Sequence, residues 1–153
     1  MTSPPPDRDP HFDPDERLYY AVDPADIEGE GEDRSPNVSS IRFPDLSVNR
    51  GKYSSPPEVL VGPRKDWESW YFLVSEVPPT TTFVPKPRTT DTYSFKVEHD
   101  PIPDNYAHSE VRAYKNGERH KRGRPVEVRL HFRDHLRQQL KFACGPGNPD
   151  AGV

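Results

Sequence analysis

Cysteine is nearly absent from this sequence, since Cys144 is the only one in 153 residues. A single cysteine excludes an intrachain disulfide, and with it the class of small secreted domains that disulfides hold together. The neighbouring residues, Ala143 and Gly145, offer no histidine or basic side chain that would favour the thiolate. The sequence therefore predicts no catalytic role for Cys144.

Apolar residues are also scarce: they make up 31% of the chain, and the mean hydropathy is −0.99. No apolar run approaches the ~20 residues that a membrane-spanning helix needs. The N-terminal stretch MTSPPPDRDPHFDPDE is acidic and proline-rich, which is the opposite of a signal peptide. We therefore predict a cytoplasmic protein without membrane contact.

Glycine is rare beside proline, with 9 glycines against 20 prolines, which predicts proline-rich loops and disordered ends. We expect residues 1–16 to be a disordered acidic leader, residues 17–142 to form a single domain, and residues 143–153 to be a disordered tail. Charge is uneven: residues 1–34 hold 11 acidic and 3 basic side chains (net −8), and residues 35–153 hold 18 basic and 14 acidic (net +4). The acidic leader either shields a basic surface or is only a solubilising tail.

The common catalytic and binding motifs are missing. There is no P-loop, no GxGxxG, no GxSxG around any serine, no HExxH, and no pattern of an RNP, KH or zinc-finger module. His131 and His135 are four residues apart but straddle a predicted strand–helix junction, which does not favour a shared metal ion. The sequence predicts neither a cofactor nor a metal site.

Short alternating runs dominate what is present. Strands are predicted, among others, over residues 17–22, 67–77, 93–97, 108–115 and 126–132. Residues 80–92 are predicted to be a connector, and Asn116-Gly117 is a hairpin signal of type I′. A short helix should follow the capping-box spacing Ser55–Glu58, and a C-terminal helix should cover residues 132–142. The fold class predicted is α+β, with a mainly antiparallel sheet of about five strands, one short helix and one C-terminal helix.

A rigid turn precedes the strand that begins at His108. Pro101 and Pro103 restrict the backbone, and Asn105 and His108 follow them directly. Here His108 can act as a general acid or base, with Asn105 orienting it or the substrate. The same residues also suit a capping asparagine and a hydrogen-bonded structural histidine, and the sequence leaves both interpretations open.

Polar side chains form a second cluster in Asn37–Arg50. Ser40 is a candidate catalytic residue that would orient substrate, and Ser39 and Ser47 are candidate binding residues. Arg50 is a candidate for a forked contact to phosphate. Alternatively, the serines are close-packing residues or satisfy a turn.

A basic run follows the predicted hairpin. Its candidate binding residues are Arg119, Lys121, Arg122 and Arg124. Their charge favours contact with a phosphate backbone, although a solvated hairpin tip has the same composition.

Two segments together, SSIRFPDLSVNR (39–50) and HDPIPDNYAHSEV (99–111), resemble the paired signatures of a group of small uncharacterised bacterial proteins. The resemblance covers roughly residues 17–115, and it departs from the group where Tyr20 stands in place of an arginine in the first strand. It implies that Ser39, Ser40, Ser47, Arg50, Asn105 and His108 converge in space. It also implies an accessory role in a bacterial defence or conflict system.

Two functions are therefore predicted from different classes. The first is a binding or accessory module that recognises a protein or nucleic-acid partner through the Ser/Arg/Asn/His cluster and the basic hairpin. The second is a small enzyme acting on a nucleotide or nucleic acid, with His108 as general acid or base and Arg50 binding phosphate.

Overall fold

Antiparallel strands dominate the computed structural model, which describes residues 7–86, 89–121 and 126–146, without the side chains of residues 83–86 and 89. One α-helix, α1, spans Val126–Gln139. The strands are β1 (Arg17–Val22), β2 (Ile27–Glu28), β3 (Ser35–Pro36), β4 (Asp45–Arg50), β5 (Glu68–Leu73), β6 (Thr81–Lys86), β7 (Thr89–His99), β8 (His108–Lys115), β9 (Glu118–Arg119) and β10 (Lys141–Cys144).

The main sheet has the strand order β10-β5-β1-β4-β8-β7-β6, and all neighbouring pairs are antiparallel. β9 pairs with β8 through the Asn116-Gly117 turn, and β2 pairs with β3 as a separate ladder. Both turn residues have positive φ, 51° and 86°, as a type I′ turn requires. The sheet curls into a half-barrel, so one face is concave and can enclose a core.

The core lies between this face of the sheet and α1. Val128, Phe132 and Leu136 recur every four residues along the helix and are buried against the strands. The Phe132 ring lies 5.6 Å from that of Phe43 and 5.1 Å from that of Phe95, measured between centroids. The mainly antiparallel sheet and the C-terminal helix confirm the predicted fold class at this level.

The predicted strand count was too low, since the described residues contain a main sheet of seven to eight strands instead of about five. The connector predicted over residues 80–92 instead contains β6 and the start of β7, which pair with each other. Threonine, frequent in this stretch, favours the strand conformation. Residues 141–144 leave the predicted helix and pair with β5 as β10. Cys144 ends β10 fully buried, and burial raises the pKa of its thiol.

The strand predicted over residues 126–132 is the first half of α1. Alternation of apolar residues suggested a strand, but alternate positions are not equally buried: Val126 and Leu130 are 58% and 44% exposed, whereas Val128 and Phe132 are buried. The four-residue spacing that continues to Leu136 determines the structure. The helix predicted after Ser55 is a 3₁₀ turn, Pro56–Val59, in which Glu58 accepts hydrogen bonds from the Ser55 N–H and hydroxyl. No helix in the described ranges has the length and apolar character to cross a membrane.

Candidate functional site

Arg50 lies at the end of β4, and its side chain is completely buried by the chain's own N-terminal segment, residues 7–16. Its guanidinium donates two hydrogen bonds to the Glu16 carboxylate, at 2.8 and 2.9 Å. It also donates to the carbonyl oxygens of Asp9, at 2.7 Å, and His11, at 2.6 Å. The ring of Phe12 covers the guanidinium carbon at 3.9 Å. Arg50 therefore meets no external ligand unless this segment moves.

Asp9 is the residue that joins the N-terminal segment to the sheet. Its main-chain N–H donates to His99 Nδ1 at 2.8 Å, and its carboxylate accepts from Lys52 and Tyr53. His99 Nε2 in turn donates to the Tyr106 carbonyl at 2.6 Å, which places the ring proton on Nε2. These contacts fall within the leader for which the sequence predicts disorder, and composition gave no sign of them.

The pKa of Asp9 lies well below the ordinary aspartate value of 3.8, chiefly because the Tyr53 hydroxyl and the Lys52 ammonium donate to the carboxylate. A carboxyl whose pKa is lower in the folded state stabilises the fold above the unfolded pKa, and this stabilisation is lost as the pH falls. We expect Asp9→Asn to lower the urea midpoint above about pH 4 and to lose this effect progressively below it. Asp15→Asn is the control, since the Asp15 side chain forms no ion pair or hydrogen bond in the described ranges. A pH-independent difference for Asp9→Asn would contradict the prediction.

The β1–β4 ladder ends early. The two strands pair only at Leu18–Arg50 and Tyr19–Asn49, although both continue for several residues beyond these pairs. On their outer sides both strands stay paired, β1 with β5 and β4 with β8. Two adjoining cavities occupy the gap between the strands, and together we call them the β1–β4 groove.

The first cavity of the groove has a volume of about 320 Å³ and combines an apolar wall with a polar end. Val61 and Ile102 on its rim are 61% and 43% exposed. It contains three of the predicted site residues, Ser47, Asn105 and His108. The lining residues are Tyr20, Ala21, Ser47, Val48, Asn49, Glu58, Val59, Val61, Arg64, Ile102, Pro103, Asp104, Asn105 and His108.

The second cavity, of about 250 Å³, adjoins the first and is mainly polar. The two share four lining residues: Tyr20, Ala21, Ser47 and Arg64. The full lining of the second cavity is Tyr20, Ala21, Val22, Asp23, Asp26, Ser39, Ser40, Arg42, Asp45, Leu46, Ser47, Arg64 and Trp67. Ser39, Ser40 and Ser47, predicted as a cluster, thus do line one cavity.

Two residues that line the second cavity each have a buried polar atom without a hydrogen-bond partner among the described residues: the Tyr20 hydroxyl and Asp45 Oδ1. Tyr20 is 3% exposed, and this burial raises the pKa of its hydroxyl, so the group remains a donor at neutral pH. The Ser40 side chain lies beside the hydroxyl and partly offsets this rise in the pKa. A buried polar group left unpaired costs roughly 1–3 kcal/mol, so both residues would be stabilised by a rearrangement that lets a ligand or water reach these atoms.

Two arginines in the second cavity, Arg42 and Arg64, form no ion pair within the described ranges, and Arg64 lies over the Trp67 ring at 5.9 Å. Three acidic residues balance them there. Asp23 caps the turn that follows β1 by accepting from the Ala25 N–H. Asp45 Oδ2 lies 3.5 Å from Arg119 Nη2, and Asp26 is the third. The cavity therefore presents charges of both signs.

His108 opens β8 and is held by the turn before it, as the two prolines suggested. Its Nδ1 lies 2.8 Å from the Asp100 carbonyl oxygen, and since a carbonyl can only accept, Nδ1 carries a proton. Nε2 makes no hydrogen bond in the described ranges and can act as an acceptor. Asn105 donates from Nδ2 to Asn49 Oδ1 at 2.8 Å, which fixes the side wall of the first cavity.

Ser39 and Ser40 stabilise the 3₁₀ turn Val38–Ser40, to which both belong. Ser39 donates to Asn37 Oδ1 at 2.6 Å, and Ser40 donates to the Asn37 carbonyl at 2.7 Å. Ser47, in contrast, is exposed on the β4 face that points away from α1. Of the three hydroxyls, that of Ser47 is the one free for a ligand.

The basic hairpin lies next to the second cavity, through the contact of Arg119 with Asp45. Lys121 is exposed, and Arg122 and Arg124 lie outside the described residues. His120, within the same run, is buried between the rings of Phe43 and Tyr93. No group of three or more potential metal ligands occurs in the described ranges.

Several groove residues were not predicted as site residues from the sequence, among them Tyr20, Asp45, Asn49, Arg42 and Arg64. Tyr20 belongs to an aromatic strand, and its pattern was that of a core residue. Arg64 follows Gly62-Pro63, which indicated only the end of a helix. No local signal identifies these residues, since they are brought together by the separation of β1 from β4.

Comparison with protein-family models, curated proteins and solved structures found no match for this chain. The resemblance to a group of bacterial proteins therefore stays a prediction.

Proposed function

We propose that this protein is a binding module that recognises a protein partner through the β1–β4 groove. The observation that carries the proposal is the groove itself, two adjoining cavities of mixed charge whose lining residues Tyr20 and Asp45 each keep a buried polar atom without a partner. Arg50 has no part in this site, since its hydrogen-bonding groups serve the fold.

The exposed Ser47 sits where the two cavities meet, so Ser47→Trp should block the groove without disturbing the core. Random linear peptides displayed on phage are selected on the wild type, and the affinities of enriched peptides are then measured on variants. We expect a loss of about tenfold or more for Ser47→Trp, or ~1.4 kcal/mol. Leu130→Trp, on the exposed side of α1, is the matched control and should leave affinity unchanged.

Circular dichroism and the urea midpoint would establish that Ser47→Trp is folded. Enriched peptides that bind folded Ser47→Trp as tightly as the wild type would overturn the proposal. A selection that yields no peptide dependent on the groove would overturn it as well.

The free Nε2 of His108 favours one second candidate, an enzyme acting on a nucleotide or nucleic acid. His108 and Ser47 are diagonal neighbours across β4 and β8, which places their Cβ atoms ~7 Å apart, within reach through one water. Phosphate would then be held by Arg64 or Arg42, because Arg50 is engaged. Chromatography of nucleoside phosphates and short RNA after incubation tests this: turnover lost in His108→Gln would support it, and none by the wild type would exclude it for these substrates.

Nucleic-acid recognition by the basic hairpin is tested separately by a salt series. Each phosphate contact contributes a slope of about 0.7–0.9 in log affinity against log salt. A slope that falls in Arg119→Ala and Lys121→Ala would support this alternative, and affinity independent of salt would exclude it.

A further inference from the structure

The direction of the main-chain groups in the groove follows from hydrogen bonds at its closed end. The Gly51 N–H donates to the Arg17 carbonyl at 2.7 Å, so odd-numbered residues of β1 turn their N–H and C=O groups toward β4. Even-numbered residues face the outer neighbours instead. On the β5 side of β1, the Val74 N–H donates to the Glu16 carbonyl, and on the β8 side of β4, the Arg50 N–H donates to the Ala107 carbonyl. Odd-numbered residues of β4 therefore turn their groups toward β1.

In this series the next hydrogen-bonded pair after Tyr19–Asn49 would be Ala21–Ser47, and it is not formed. Both residues line both cavities. The outer neighbours remain in register, Ala21 opposite Ser69 and Ser47 opposite Glu110, so both strands keep an extended backbone. The groove therefore contains two short strand edges, each with an N–H donor and a C=O acceptor.

We propose that the groove binds the main chain of an extended peptide, which pairs with the open edges at Ala21 and Ser47. An extended peptide carries alternating donors and acceptors, the complement of such an edge. This inference rests on the proposed function and names the form in which the protein partner is recognised.

Charge argues for a peptide over a nucleic-acid strand. The second cavity holds Arg42 and Arg64, but also Asp23, Asp26 and Asp45, whereas a phosphate backbone calls for a surface of uniformly positive charge. A peptide carries no such repeating charge, so the acidic residues do not oppose it.

The cavities also define the peptide's side chains. The exposed Val61 and Ile102 on the rim of the first cavity fit an apolar residue. The second cavity is polar and of mixed charge, with Arg42 and Arg64 beside three aspartates, and fits a polar residue. Enriched peptides should combine these two residue types.

The test is amide hydrogen exchange of the full-length protein by NMR, with and without a saturating peptide from the phage selection. We expect exchange at the N–H groups of Ala21 and Ser47 to slow about tenfold or more on binding. The N–H groups of Tyr20 and Val48, which already face β5 and β8, are internal controls and should change little.

A second arm uses the peptide itself. N-methylation of the one or two amides that pair with the groove should weaken binding about tenfold, and methylation elsewhere should be tolerated. Unchanged exchange at Ala21 and Ser47, with binding still abolished by Ser47→Trp, would overturn main-chain pairing and leave the proposed function intact. Binding insensitive to Ser47→Trp would overturn both.

Discussion

Arg50→Met should destabilise the fold by roughly 3–5 kcal/mol, because it removes one partner of a buried ion pair. The Glu16 carboxylate, whose side chain is 6% exposed, would lose both of its charged hydrogen bonds. The carbonyls of Asp9 and His11 would lose their donors at the same time. Urea denaturation measures the change.

Arg137→Met is the matched control, since Arg137 is 43% exposed and lies 3.6 Å from Glu28 at the surface. Exposed pairs of this kind contribute ~0–1 kcal/mol. The double variant Arg50→Met/Glu16→Gln should be less destabilised than the two single changes combined, because no buried charge is then left unpaired. Equal midpoints for Arg50→Met and the wild type would show that the N-terminal segment does not depend on Arg50.

Phe132→Ala should cost roughly 3–5 kcal/mol, the usual range for removing a fully buried aromatic ring. The side chain is 0% exposed and packs against Phe43 and Phe95, so its removal leaves a cavity between α1 and the sheet. The midpoint of urea denaturation is again the measurement.

Leu130→Ala is the comparison that separates helix from strand. In the helix Leu130 is 44% exposed, and its substitution should change stability by less than about 0.5 kcal/mol. In an alternating strand Leu130 and Phe132 would share the buried face, and the two substitutions would cost similar amounts. Similar losses would therefore contradict α1 as described.

Several elements could be predicted from the chemistry of neighbouring residues alone. The Asn116-Gly117 turn follows from the two positive φ values that asparagine and glycine tolerate, and β1, β5 and β7 follow from aromatic and β-branched runs. The capped turn Pro24–Asp26 is equally local, because the Asp23 side chain accepts from the Ala25 N–H and Pro24 fixes its own φ.

The sequence alone predicted the wrong element where the two-residue period of a strand overlaps with the four-residue spacing of a helix. Residues 126–132 match a strand, and only packing of Phe132 and Leu136 on one face decides for the helix. β6 and β10 were missed for a related reason: each is a strand because a partner lies beside it, β7 and β5 respectively.

The candidate site also contains residues that the sequence predicted and residues that only the tertiary structure revealed. The sequence by itself indicated Ser47, Asn105 and His108 as candidate site residues, from a polar strand and a rigid turn, and only the resemblance implied that they converge. Tertiary structure alone assigned Arg50 to the N-terminal segment and added Tyr20 and Arg64 to the groove. Burial, and the points where strand pairing stops, depend on contacts between residues distant in the chain, and no local pattern encodes them.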